Sequence, residues 1–149
     1  MNKKFNVSVL GGGSFGTVLA NLSAKNGLDT YLWVRDSELA LKINSESANR
    51  EYHPELKLSK KIFASEILSE CVCNADLIFV ATPSSIIQNV INRIKPHIKE
   101  GVVLISCTKG LVNNPTRTIT DYIKEQLFDK TALETVSYTH LTLPTKCSV

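Results

Sequence analysis

Residues 7–10 (Val-Ser-Val-Leu) run straight into Gly11-Gly12-Gly13-Ser14-Phe15-Gly16, and a helical pattern starts at once. Few folds place a strand, a Gly-x-Gly-x-x-Gly turn and a helix in direct succession. Each glycine has a physical job in such a junction. Gly11 lets the chain turn sharply out of a strand, Gly13 leaves room for a pyrophosphate, and Gly16 lets the helix lie close on the sheet. Phosphates bind there on free backbone N–H groups at the positive end of the helix. The stretch reads as a dinucleotide site at the first strand–helix junction of a parallel sheet.

Downstream, the hydrophobic period keeps switching between strand and helix. Phe15, Val18, Leu19 and Leu22 recur at helical spacing, with Ala20 and Ala24 filling in, and Asn26-Gly27 supplies a stop. Residues 30–34 read as a second strand, rich in β-branched and aromatic side chains. Asp36-Ser37 is placed to cap a helix running from Glu38 to about Glu46. The polar stretch 47–61, which contains His53-Pro54, reads as a connecting loop. Residues 62–64 form a short strand, and Ser65 caps a short helix carrying Ile67 and Leu68.

Residues 75–81 are apolar without alternation, as in a strand buried on both faces. Ser84 opens a helix with Ile86, Ile87, Val90, Ile91 and Ile94 on one face, interrupted at Pro96. Gly101 turns the chain into a strand over 102–107. A last helix is expected from about Thr116 to Phe128, presenting Ile119, Tyr122, Ile123 and Leu127. Strands and helices alternate from end to end. The expected class is α/β: a doubly wound, mostly parallel sheet with helices on both faces.

Composition narrows the partners. The chain has 149 residues, 43% hydrophobic and 21% charged, which suits one folded domain and argues against disorder. A net charge of +3 without a long block of like charge gives no basis for a nucleic-acid or membrane partner. The N-terminal apolar run stops at Leu10, too early for a signal peptide or a membrane span, so a cytoplasmic location is expected. Cys71-Val72-Cys73 has neither zinc-knuckle nor redox-pair spacing, and with Cys107 and Cys147 it reads as reduced, structural thiols without metal. His53, His97 and His140 lack ligand spacing and read as surface or packing residues.

Ligands of an open α/β sheet bind beyond the carboxyl ends of its strands. That rule selects 11–16, Arg35-Asp36, Thr82-Pro83-Ser84 and Thr108-Lys109-Gly110. An NAD site usually has a carboxylate after the second strand, whereas an arginine suits a 2′-phosphate through paired charge-assisted hydrogen bonds. Arg35 therefore either grips a 2′-phosphate, stacks on an adenine or sits in water. Lys109 either stands at the rim where cofactor and substrate meet or is solvated. Pro83 is either a strand stop or a rigid wall beside a cofactor.

Taken together, Gly11 to Thr17, Leu32-Trp33-Val34-Arg35, Ile43-Asn44 with Asn49 and Tyr52, Val80 to Ser84, and Thr108-Lys109-Gly110-Leu111 resemble a known family. They look like the N-terminal domain of bacterial NAD(P)-dependent glycerol-3-phosphate dehydrogenases, from residue 5 to about 134. The resemblance implies a Rossmann-type NAD(P)-binding domain over 1–134, with NADP(H) preferred and NAD(H) accepted. It implies that Ser14, Phe15, Arg35, Tyr52 and Lys109 line the cofactor, joining Gly11, Gly13, Gly16 and Pro83 from the strand-end reading. The implied reaction is hydride transfer between the cofactor and dihydroxyacetone phosphate, giving sn-glycerol 3-phosphate for phospholipid synthesis, with Lys109 also reaching the substrate.

In that family the general-acid lysine lies in a helical catalytic domain that follows, and the full-length protein is expected to be a homodimer. Here residues 135–149 contain no glycine and depart from the family. Their Thr/Leu alternation suits an edge strand; the reading adopted is sequence foreign to the family. The chain is then expected to bind cofactor and, without the catalytic domain, to be inactive alone. Two alternatives share the opening domain: a reductase of ketopantoate or sugar-nucleotide type, and a non-catalytic NAD(H)-sensing domain. Thr108-Lys109-Gly110 and Trp33-Val34-Arg35 argue against the first.

Overall fold

In the computed structural model, which describes residues 3–127 and 136–137, strand and helix alternate as the hydrophobic pattern predicts. β1 (Asn6–Leu10) feeds α1 (Ser14–Lys25), β2 (Asp29–Trp33) feeds α2 (Ser37–Glu46), and β3 (Ile62–Ser65) feeds α3 (Leu68–Val72). β4 (Leu77–Val80) leads through a 3-10 turn (Ser84–Ile86) into α4 (Ile87–Ile94). After β5 (Val103–Ser106) come a small hairpin of β6 (Leu111–Val112) and β7 (Arg117–Thr118), then α5 (Ile119–Leu127) and β8 (Val136–Ser137).

One parallel sheet runs β3-β2-β1-β4-β5-β8. The winding reverses between β1 and β4, which opens a crevice beyond their carboxyl ends. Helices cover both faces. Because successive side chains of a strand point to opposite faces, β1 feeds two cores: Val7 and Val9 enter one, Leu10 the other. The first core lies under α1 and α2 and includes Ala20, Ala24, Ala40 and Ile43. The second lies under α3, α4 and α5 and takes Ile87, Val90, Ile91 and Ile94 from α4 and Ile119, Ile123 and Leu127 from α5. No helix among the described residues is long and apolar enough to cross a membrane.

Local chemistry explains the boundaries. Asp36 caps α2, its Oδ1 accepting from the Glu38 N–H at 2.9 Å. Gly27, with φ +88, takes the left-handed conformation just past α1. At the far end of the sheet Asp76 joins β1 to β4: its carboxylate accepts from the Asn6 N–H at 2.9 Å and from Lys99 Nζ at 2.7 Å. The Lys99 contact and the Asn6 N–H hold the Asp76 carboxyl down to about 2.

Three local expectations change. First, the large apolar row of α1 is split: Phe15 and Leu22 are 48% and 54% exposed, Leu19 packs half-buried against the first core, and Gly16, Thr17, Ala20, Asn21 and Ala24 are the buried residues. At Gly16 the helix comes so close to the turn that no side chain fits. Second, α5 begins at Ile119 rather than Thr116, because Arg117 and Thr118 are taken up pairing with β6. Third, Ser65 ends β3 rather than capping α3: its hydroxyl accepts from the Ile67 N–H at 3.1 Å, and Ile67 occupies the cap position before Leu68. The end of the last helix at Phe128, the tail at 135 and 138–149, His140 and Cys147 lie outside the described residues.

Candidate dinucleotide-binding site

A cleft of about 520 Å³ opens where the winding reverses, floored by the glycine turn. The four glycines of the turn divide three to one. Gly11 has φ +127, and a Cβ there would lie 2.5 Å from the Ala81 carbonyl oxygen, so the turn can press on the end of β4 only as glycine. At Gly12 a Cβ would lie 2.3 Å from Val34 Cγ1, and at Gly16 1.8 Å from the Gly11 carbonyl oxygen. These three positions are closed by the protein itself. Gly13 is different: nothing lies within 4 Å of where its Cβ would be, and the space belongs to the cleft. Gly13 also stands at the N-cap of α1, where no side chain caps the helix and no acidic residue occupies the first turn. The positive end of α1 is thus left to whatever enters the cleft.

The other walls come from the carboxyl ends of β2, β4 and β5. Arg35 lines the cleft, while the neighbouring Asp36 spends one carboxylate oxygen on capping α2. β4 ends at Val80, three residues short of Pro83, and Pro83 stands in the cleft wall. The Thr108 hydroxyl donates to the Thr82 carbonyl at 2.7 Å and lies 3.2 Å from that of Val80, tying the ends of β4 and β5 together. Gly110, at φ +128, completes the join, since a Cβ there would come 3.2 Å from Ser84 Cβ. Between them Lys109 is exposed at the rim. Cys107 lines the same wall half-buried, and burial pushes its thiol above its ordinary range.

A family model described as NAD-dependent glycerol-3-phosphate dehydrogenase N-terminus matches residues 6–138. The chain belongs to this family. A glycerol-3-phosphate dehydrogenase [NAD(P)+] of Acinetobacter baumannii (strain SDF) is 42% identical over 121 residues, covering 81% of this chain and 34% of that protein. The chain therefore spans about a third of the length of such relatives. The solved glycerol-3-phosphate dehydrogenase of Coxiella burnetii is 28% identical with a TM-score of 0.77, covering 83% of this chain and 38% of that one. A ketopantoate reductase from Ralstonia eutropha JMP134, 18% identical with a TM-score of 0.64 and covering 89% and 40%, shares the fold alone.

Within this member of the family, seven of the nine residues singled out from the sequence line one cleft: Gly11, Gly13, Phe15, Arg35, Tyr52, Pro83 and Lys109. Ser14 and Gly16 do not. Gly16 lies beneath the turn, and the Ser14 hydroxyl meets His53 Nε2 at 3.1 Å. The polar stretch read as a connecting loop, from which the family resemblance implied Tyr52, is a wall of the site. It returns to the glycine turn through Asn49 and His53, and it carries Glu51 and Tyr52 into the cleft. Gly12 was likewise given no task by sequence reasoning, yet Val34 requires it. Neither period nor spacing marks such residues. Their contacts cross from residue 12 to 49 and from 14 to 53, separations that only the tertiary fold closes.

Proposed function

We propose that this chain binds NAD(P)(H) in the cleft between the ends of β1 and β4, as the cofactor-binding domain of a glycerol-3-phosphate dehydrogenase. The observation that carries the reading is the split among the turn glycines: at Gly11, Gly12 and Gly16 a Cβ would strike protein, whereas at Gly13, a cleft-lining residue at the uncapped start of α1, it would meet nothing. The residues present fit such a group. The turn and the α1 N-terminus would hold the pyrophosphate, Phe15 and Pro83 would flank it, and Arg35 would take the 2′-phosphate, giving a preference for NADP(H) with NAD(H) accepted. The bound dinucleotide would supply the hydride chemistry; this chain's residues bind and orient it. Lys109 offers its ammonium from the rim, where cofactor and the phosphate of dihydroxyacetone phosphate would meet.

For the longer protein that such relatives exemplify, the proposed reaction converts dihydroxyacetone phosphate to sn-glycerol 3-phosphate in the cytoplasm, in a homodimer. Hydride delivery to a ketone builds negative charge on oxygen and needs a placed proton donor. Lys109 holding a substrate phosphate cannot also stand at the carbonyl. The proton is assigned to the helical domain of the longer protein, and the domain boundary to about residue 134.

Titration with NADPH, followed by quenching of Trp33, tests the reading, since Trp33 is the only tryptophan and lines the cleft. Gly13→Val should fold normally, because its Cβ meets no protein atom and φ is −74°, yet should lose NADPH. Unchanged affinity in that variant removes the turn from the account. Arg35→Ala should weaken NADPH by roughly ten- to a hundredfold, about 1.5–3 kcal/mol for a charge-assisted contact, and NADH much less. Equal weakening of both places Arg35 on the adenine they share.

A further inference from the structure

The cleft has a backing on its protein side that the glycine motif does not describe. Asn49 is fully buried in the loop between α2 and β3. Its Nδ2 donates to the Gly12 carbonyl at 3.0 Å and to Thr17 Oγ1 at 2.9 Å, and the Thr17 hydroxyl in turn donates to the Gly13 carbonyl at 2.7 Å. Four residues on, His53 Nε2 lies 2.8 Å from the Ser14 carbonyl and 3.1 Å from the Ser14 hydroxyl. A carbonyl can only accept, so Nε2 carries the proton. The His53 N–H in turn donates to the Asn49 carbonyl at 2.9 Å, so the two anchors form one unit.

Asn49 and His53 thus hold the Gly12 and Ser14 carbonyls, while the Gly13 carbonyl between them takes the Thr17 N–H at 3.0 Å and the Thr17 hydroxyl. A peptide whose carbonyl is held on one side presents its N–H groups to the other. For an anion this matters in sign: an untethered carbonyl oxygen that swings into the cleft repels it, whereas an N–H attracts it. The Asn49 amide is oriented by that need, not by its own. Its Oδ1 is buried with no protein partner, and turning the amide over would set Oδ1 against the Gly12 oxygen.

We infer that Asn49 and His53 are positioning residues: a two-point latch that keeps the Gly12 and Ser14 carbonyls turned away from the cleft so that the turn is ready for a pyrophosphate. The inference rests on the dinucleotide reading above, and the experiment separates the two. In the full chain, NADPH and adenosine 2′-monophosphate, which lacks the pyrophosphate, are titrated by calorimetry into wild type, Asn49→Ala, His53→Leu and His53→Gln, with thermal melting as the folding check.

Asn49→Ala and His53→Leu should each weaken NADPH by roughly tenfold or more while leaving adenosine 2′-monophosphate within about twofold, the split expected when only pyrophosphate contacts are lost. His53→Gln, whose amide can still donate to the Ser14 carbonyl, should keep most of the affinity. If wild type does not bind NADPH, the dinucleotide reading fails before the latch is reached. If wild type binds and folded variants match it, or lose both ligands equally, the latch is overturned and the loop is merely anchored. Should Asn49→Ala not fold, the histidine pair decides: equal affinity of His53→Leu and His53→Gln overturns it.

Discussion

α1 on one face of the sheet and α4 and α5 on the other pack against it by different means. Under α4 and α5 the core is made of large side chains: Ile87, Ile91, Ile94, Leu104, Ile123 and Leu127 are essentially free of solvent. Under α1 the fully buried contacts are Gly16, Ala20 and Ala24, with Leu19 packed half-buried beside them, and the close approach of backbone to backbone replaces much of the side-chain volume. The difference follows from what each face must hold. α1 has to start directly above the turn at the end of β1, so its first turn touches Gly11 and no side chain fits between them. α4 has no such duty and can stand off at a distance set by isoleucine. Burying a Leu or Ile contributes about 1.5–3 kcal/mol against far less for Ala, so the stability of the domain is concentrated on the face away from the glycine turn.

If that division is right, the two faces should fail under opposite changes. The largest effect is expected for Ile91→Ala, in the middle of α4 with no exposed surface. Removing three methyl or methylene groups from a filled core costs about 2–5 kcal/mol, the transfer loss plus the cavity. Urea unfolding followed by far-UV circular dichroism reads it as a lower midpoint at unchanged slope. NADPH affinity in the folded fraction should stay at the wild-type value, because Ile91 does not line the cleft. A loss under 1 kcal/mol would mean that this face is loosely packed and that the contrast is false.

Next in size is Gly16→Ala, a change in the opposite direction on the opposite face. The new methyl would sit 1.8 Å from the Gly11 carbonyl oxygen, and a backbone atom cannot step aside as a flexible side chain can. Overpacking of this kind costs about 1–3 kcal/mol, offset by up to about 1 kcal/mol of helix propensity. The net loss of stability should therefore be smaller than for Ile91→Ala. Cofactor binding should nevertheless collapse, because the strain is relieved by moving the turn itself. A variant that binds NADPH like wild type would show that α1 can lift off the sheet at no cost to the site.

The same contrast explains what could be read in the sequence. α4 was legible because its burial is written in large residues: Ile86, Ile87, Val90, Ile91 and Ile94 repeat at helical spacing, and four of them are buried. The strand interiors were legible for the same reason, and Asp36 declared the start of α2. The glycine turn was legible because backbone geometry demands glycine there. α1 itself was legible as a helix but not in its orientation, since the face it buries is marked by small residues and the face it exposes by Phe15 and Leu22. The hairpin at β6 and β7, only two residues a side, carries no periodic signal at all. Of the site, the residues at strand ends could be found by rule. Asn49 entered only as part of the family resemblance and His53 only as a surface or packing residue, because the role of each lies in hydrogen bonds to residues 37 and 39 positions away.

The smallest expected effect tests the orientation of α1 most directly. Leu22 belongs to the apolar row that recurs at helical spacing along α1, and it is 54% exposed. Leu22→Gln keeps nearly the same helix propensity and length while removing the hydrocarbon tip, so backbone preference does not mask the result. Were the row packed on the sheet, burying an unpartnered amide there would cost several kcal/mol, from lost transfer energy and an unmet hydrogen-bonding group together. With the row facing outward, the change should lie within about 0.5 kcal/mol of wild type, as at an ordinary surface position. The measurement is the urea midpoint of Leu22→Gln beside that of Ile91→Ala. A fall at Leu22 approaching that at Ile91 would mean that α1 packs through its large residues, and the small-residue account of the cofactor face would have to be given up.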